Sequence, residues 1–492
     1  MKKSILIAIL SMMTVMVSAQ TLRINMGDVT YAIPASQAGD MLYNEGTTLT
    51  VGNKVYPLSD ITNITIDNSN VSDNCVNVNY NGNTAKVEIS GNIAPFITAK
   101  VNGAHVSVAA SADLSQNVTY TLKGSSDNGS FYMEGSHAMQ IVLNDLTLTN
   151  PDSAAINIQN GKMIGVELAD GTNNSLADGL TNVSNDGSDG HKAAFYVDGH
   201  TSWTGTGSLK ISGNVKHAYD SDEYTLFNEG LGTITIDRAV GDGFHISQYF
   251  KMLGGTLNIT AAGDGIDVEK KKSDKTDNGN MTLSGGTLTV TTTGNATKAL
   301  KCDCDMVVTG GVITATTSGT AIYDADVADI SSNAAAKCDG TFTMTGGTMT
   351  LTSTGAGGKG INSTGAITIN DGTLTVVTTG KVFEYGTLDT KPQAIKSDRS
   401  ITLAGGTILS CASSDSGTAF KTDYEVFTNG ATLMGIGGKA TTGANTSTHA
   451  SKKYKDVNVR GGATLSYDGV SFTIPSIYNN SSAKVIVSSP NM

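Results

Sequence analysis

One short phrase keeps returning along the second half of this chain: two glycines, a threonine and an apolar residue, followed by alternating Thr and Val. It stands at Gly254-Gly255-Thr256-Leu257, Gly285-Gly286-Thr287-Leu288, Gly346-Gly347-Thr348-Met349 and Gly405-Gly406-Thr407-Ile408. Variants occur at Gly310-Gly311-Val312-Ile313 and Asp371-Gly372-Thr373-Leu374. A second phrase, small then apolar then polar, lies between these copies. It begins as Ala155-Ile156-Asn157, Ala194-Phe195-Tyr196, Ala218-Tyr219-Asp220, Gly243-Phe244-His245 and Gly265-Ile266-Asp267. It continues as Ala299-Leu300-Lys301, Ala321-Ile322-Tyr323, Gly360-Ile361-Asn362, Ala394-Ile395-Lys396 and Ala419-Phe420-Lys421. The shorter steps between copies are about 22 to 25 residues, and the longer ones contain insertions such as 325–339 and 381–391.

A unit of that length holds two or three short strands and cannot bury its own apolar face, so neighbouring units must stack. The expected fold is all-β: a right-handed parallel β-helix of about ten coils, its hand taken from the preference of parallel crossovers. Composition agrees. There are 57 glycines against 7 prolines, and charged residues make up 15% of the chain, too few for a coiled coil or helical bundle. The expected division is a signal peptide over 1–19, a short β-rich segment over 20–69, a β-rich cap and entry to the solenoid over 70–140, and the β-helix over 141–487. Lys2-Lys3, the apolar run Ile5 to Val17 and Val17-Ser18-Ala19 carry the signal-peptide reading. It implies a secreted or cell-surface protein with Gln20 as its first mature residue, and no later run is long enough for a membrane span.

A net charge of −12 argues against nucleic acid as a partner. It suits divalent cations, or simply solubility. Five cysteines are too few for a disulfide-built fold in an exported chain, and no chemistry is assigned to them.

The phrases Leu143-Asn144-Asp145-Leu146-Thr147-Leu148-Thr149-Asn150, Lys216-His217-Ala218-Tyr219, Gly241-Asp242-Gly243-Phe244-His245 and Gly263-Asp264-Gly265-Ile266-Asp267 resemble the secreted β-helical carbohydrate-binding domain proteins. That family shares the shape of pectate lyases. The resemblance spans roughly 70–485. It implies binding of plant-type or acidic polysaccharides, with calcium ions on the helix surface.

Equivalent positions of consecutive coils lie about 4.8 Å apart, and residues two apart share a face. The polar position of each copy therefore forms an outward column, its i+2 neighbour a second, and the residue three earlier a third. This gathers Asp220, Asp222, Asp242, Asp264, Asp267 and Glu269 on three consecutive coils. Carboxylates so placed repel unless a hard cation joins them, which makes them the expected calcium ligands; turn dipeptides and solvated acids give the same pattern. Lys301, Lys396 and Lys421 share the first column and are the expected grip on uronic-acid carboxylates, although a surface Lys–Asp ladder fits them equally. Tyr196 and Tyr323 are the candidate stacking faces for sugar rings. No catalytic residue is assigned. The expected function is non-catalytic polysaccharide binding, against two alternatives: a pectate-lyase-like polysaccharide lyase, and an adhesin or spacer.

Overall fold

The computed structural model describes residues 20–44, 46–179, 193–271, 277–413, 416–442, 444–445 and 451–492. The expected signal peptide lies outside the described residues. The rest is strand almost throughout, and the strands of the body join in parallel ladders, each pairing with its counterpart in the next repeat.

Three ladders carry the core. The Gly-Gly-Thr phrases form one, in which Leu209, Ile234, Leu257, Leu288, Ile313, Met349, Leu374, Ile408 and Leu433 succeed one another directly. The small–apolar–polar phrases form the second, through Phe131, Ile156, Phe195, Tyr219, Phe244, Ile266, Leu300, Ala336, Ile361, Ile395 and Phe420. The third runs Trp203, Phe227, Met252, Leu283, Val308, Met344, Ile369 and Leu403. All these side chains are buried, so the apolar alternation read from the sequence closes on one continuous core.

The paired glycines answer two separate needs. The second glycine holds φ in the left-handed region, at 85° for Gly255, 78° for Gly286 and 83° for Gly311, where a side chain is strained. The first is crowded instead: a Cβ on Gly285 would stand 2.2 Å from the Leu253 carbonyl oxygen. One residue gives the corner its turn, and the other lets the neighbouring repeat approach.

Both ends of the stack are covered by antiparallel strands. Thr21–Met26 pairs with Val29–Pro34 and Asn63–Asp67, and Val29–Pro34 joins Thr84–Ser90 in parallel. At the other end Asn480–Ser488 runs antiparallel to Thr432–Gly437 and to Ser451–Val459. A second apolar cluster, including Met434, Ile436, Tyr478 and Val485, fills the space beneath. Among the described residues these strands lie over both ends, where a bare rung would offer its core and edge to a passing strand.

The register departs from the sequence reading at one repeat. Beneath Lys301 stands Lys337, and Ala334–Cys338 occupies the rung assigned to Ala321-Ile322-Tyr323. Residues Ile322–Asp324 pair with Asp329–Ser331 in a hairpin that projects from the body. The physical reason is side-chain volume and polarity. Ala336 fits under Leu300 with Ala334 and Ala335 buried beside it, whereas the hairpin carries Asp324, Asp326 and Asp329 and leaves Ile322 and Val327 exposed. All five cysteines are free thiols, with Cys302 and Cys338 stacked as buried neighbours on adjacent rungs.

Candidate functional site

With that register the outward column reads Asn157, Tyr196, Asp220, His245, Asp267, Lys301, Lys337, Asn362, Lys396, Lys421. It is acidic in its first half and basic in its second.

The acidic half is compact. His217 and His245 stack at 4.6 Å, and Asp242 lies against both, 3.2 and 3.3 Å from their Nδ1 atoms. The Asp242 Oδ1 atom accepts the Asp264 N–H at 2.7 Å, which ties two rungs together. Burial alone would raise the Asp242 carboxyl, but the two imidazoles and that N–H hold it well below the usual range. His245 behaves in the opposite sense. Burial disfavours its charge, yet Asp242, Asp220, Asp267 and Glu269 together raise it to about 9. Asp264 is pushed up to about 6 by burial and by the charges of Asp242 and Asp267, so the repulsion expected among these acids is present.

The six expected calcium ligands do not meet in one cage. Asp222 accepts a hydrogen bond from the Tyr196 hydroxyl at 2.7 Å. Lys301 places its ammonium 2.7 Å from Asp267 Oδ2 and 3.8 Å from Asp264. Two triads have ligand atoms within 4.8 Å of one another: His217, Asp242 and His245, and His245, Asp267 and Glu269. Asp267 Oδ1 is buried without a hydrogen-bond partner, which favours a cation at the second triad. Two carboxylates and an imidazole fall short of the six to eight oxygens that calcium takes. The residues fit a divalent ion whose shell is completed by water or ligand oxygens.

The basic half opens into a groove of about 680 Å³. Its wall is made by two hairpins, Ile322–Asp324 with Asp329–Ser331, and Phe383–Tyr385 with Leu388–Thr390. Tyr323 stacks on Tyr385 at 4.3 Å, and Ser332 Oγ bonds Thr390 Oγ1 at 3.2 Å, so the hairpins act as one wall. Lys337, Lys396 and Lys421 line the floor. Each is paired with the aspartate two residues on: Lys337 with Asp339 at 2.5 Å, Lys396 with Asp398 at 2.7 Å, and Lys421 with Asp423. Those aspartates are 46% exposed or more, so solvent screens each pair and an incoming anion can compete for the lysine. A second row, three residues earlier on each rung, reads Lys298, Ala334, Lys359, Gln393, Thr418 and Lys439.

Of the expected ligand residues, the structure brings Lys396 and Lys421 together in the groove. Lys301 joins the acids instead. Tyr196 is 4% exposed and offers no open ring face. Tyr323 sits on the hairpin wall, one face against Tyr385, whose side chain is 52% exposed. Lys337, Asp339 and Lys359 were not singled out as ligand residues by the sequence. The signal for the first two was present: Lys337-Cys338-Asp339 repeats Lys301-Cys302-Asp303 letter for letter.

A family model described as carbohydrate-binding domain-containing protein matches residues 102–382, more than half of the chain and including both halves of the column up to Asn362. The chain belongs to this family. Within the family's matched span lie the whole acidic cluster and the first hairpin, while Lys396 and Lys421 fall beyond it. No curated protein matches the sequence. Among solved structures it is similar to a polysaccharide lyase-like protein from C. thermocellum, determined as a gadolinium derivative. Identity is 19%, the TM-score 0.43, and the alignment covers 55% of this chain and 96% of the other. At that distance nothing about a site is transferred from one to the other.

Proposed function

We propose that this is an exported, non-catalytic polysaccharide-binding protein, wound as a right-handed parallel β-helix of about ten coils, with a plant-type acidic glycan lying in the lysine groove. The observation that carries it is the groove itself: Lys337, Lys396 and Lys421 in one column whose rungs are about 4.8 Å apart, interrupted once by Asn362, beside a wall of two hairpins joined by a tyrosine stack, in a chain of a carbohydrate-binding family. A uronan presents carboxylates along an extended chain, and such a row meets several at once. Calcium belongs to this reading at the acidic half, where Asp267 and Glu269 would supply oxygens, His245 a nitrogen, and water the rest of the shell. Export enters through the signal-peptide reading, and the mass of the secreted protein should begin at Gln20.

Affinity electrophoresis in polygalacturonate, with and without calcium, tests the reading. Replacing Lys396 and Lys421 together by alanine should weaken binding severalfold with the fold intact, because both lie at the surface. Binding of the parent should also fall as salt rises, since exposed charges are screened beyond about 8 Å at physiological ionic strength. Unchanged retardation of the double variant removes the groove from the reading. Release of unsaturated uronides by the purified protein replaces it with a lyase, and no retardation on any glycan leaves an adhesin or spacer.

A further inference from the structure

Lys359 is the one groove lysine that is fully enclosed, 4% exposed, on a rung that has no hairpin of its own. The hairpins leave the chain before the rungs on either side, at Ala334–Cys338 and Gln393–Ser397, and roof it from both directions. Its ammonium donates to Thr390 Oγ1 at 2.8 Å and to the Lys391 carbonyl oxygen at 2.5 Å, both neutral acceptors. Among the described residues no carboxylate lies within ion-pair distance of it, whereas Lys337, Lys396 and Lys421 each have an aspartate. Its neighbours in the ladder, Ala334 and Gln393, are uncharged. A buried ammonium held only by neutral partners is costly, and an anion bound beside it would offset that cost.

We infer that Lys359 is the specificity-determining residue of the groove, the counter-charge for one oxyanion substituent on the bound glycan, a ring carboxylate or a sulfate ester. This rests on the glycan-binding reading and deepens it: the outer lysines hold any polyanion, while the enclosed one requires an anionic group that reaches from the groove to the foot of the hairpin wall. Burial, and then the Lys396 ammonium, push Lys359 down to about 7, with Asp389 acting in the other direction. Around it stand Asp324 and Asp329 from the first hairpin and Asp389 and Lys391 from the second. Lys337 and Lys396 face it from the adjoining rungs, with Lys298, Lys421 and Lys439 further along the groove. Above pH 7 the free amine is largely neutral, so binding an anion takes one proton from the buffer onto Nζ. Affinity then falls as pH rises.

The test is calorimetry on the full chain with a galacturonate oligomer, a sulfated galactan oligomer and a neutral galactan oligomer, from pH 6.5 to 9, in two buffers of different ionisation enthalpy. The parent should lose roughly three- to tenfold in affinity per pH unit above 7 for an anionic glycan, with proton uptake near pH 8. Lys359→Gln should flatten that slope and weaken anionic binding severalfold at pH 6.5, leaving the neutral oligomer unaffected. Asp264 and His245 also titrate in this range, but they lie three or more rungs away and remain in the variant, so a slope that persists in Lys359→Gln overturns the inference. Should that variant not fold, absence of proton uptake by the parent overturns it equally. Which anion binds more tightly identifies the source of the oxyanion. A parent that binds no glycan at any pH overturns the glycan-binding reading itself, and the inference with it.

Discussion

Replacing Phe244 by alanine should cost about 3–5 kcal/mol of stability. The ring is fully buried, at 5.0 Å from Tyr219 and 5.8 Å from Phe227, in a run of aromatics that continues through Trp203, Phe195 and Phe250. Its removal deletes apolar contact and leaves a cavity, because the rungs above and below are pinned by their backbone ladders and cannot close on it. In a stack where each repeat touches its neighbours, the loss also weakens the coupling between repeats on either side. Urea unfolding followed by the fluorescence of Trp203, the single tryptophan of the chain, reads the side nearer the N-terminus, and circular dichroism reads the whole. The midpoint should fall in both, with the two probes separating in the variant. Val312, 52% exposed, is the control: its change to alanine should stay within about 0.5 kcal/mol. A loss below about 1 kcal/mol for Phe244 would mean that the aromatic run is not the keystone of the stack.

The parts of this fold that were legible in the sequence are those set by nearest-neighbour repetition. The spacing of Gly-Gly-Thr phrases predicts that Leu257, Leu288 and Ile313 lie one above another, and they do. The polar column from Asp220 through Asp267 to Lys301 was legible for the same reason. The repeat at Ala321-Ile322-Tyr323 was misplaced because a local pattern says what a segment is able to do, not which of two candidates stacks better. The choice fell to Ala334-Ala335-Ala336, where Ala336 fits below Leu300 and above Ile361. Where a long side chain turns was equally hidden. Alternation puts Lys301 outward, but whether its ammonium reaches forward to the lysines or back to Asp267 depends on charges from other rungs, and the acids win. Tyr196 is likewise outward by pattern and buried in fact, because its hydroxyl bends onto Asp222 two residues along the next rung. Lys359 was visible as a member of a column, but its enclosure is the work of two hairpins that are remote in sequence.

Asp242 gives the second large effect, and the pH at which it is measured separates charge from hydrogen bonding. Asp242→Ala removes the acceptor of the Asp264 N–H and the carboxylate beside His217 and His245, and should cost about 3–5 kcal/mol near pH 6, as expected when one partner of a buried charged cluster is deleted. Asp242→Asn keeps an oxygen for the Asp264 N–H and loses only the charge, so it should cost less, about 2 kcal/mol at the same pH. His245 is raised to about 9 in the folded protein against about 6.5 when unfolded, so the stability it contributes is complete below about 6.5 and is lost as pH rises through 9. Asp242, depressed in the folded protein, contributes above its unfolded value near 3.8 and loses that contribution as pH falls toward its lower folded value. Full benefit therefore lies between about pH 4 and 6.5. Urea unfolding of parent and both variants at pH 6, 8 and 10 should show the Asn gap shrinking toward zero by pH 10, as His245 loses the proton that Asp242 stabilises. The Ala gap should shrink by a similar amount and level off at the part due to the lost hydrogen bond and packing. An Asn gap of the same size at pH 6 and pH 10 would show that the cluster is held by shape and hydrogen bonds, with no electrostatic coupling between Asp242 and His245.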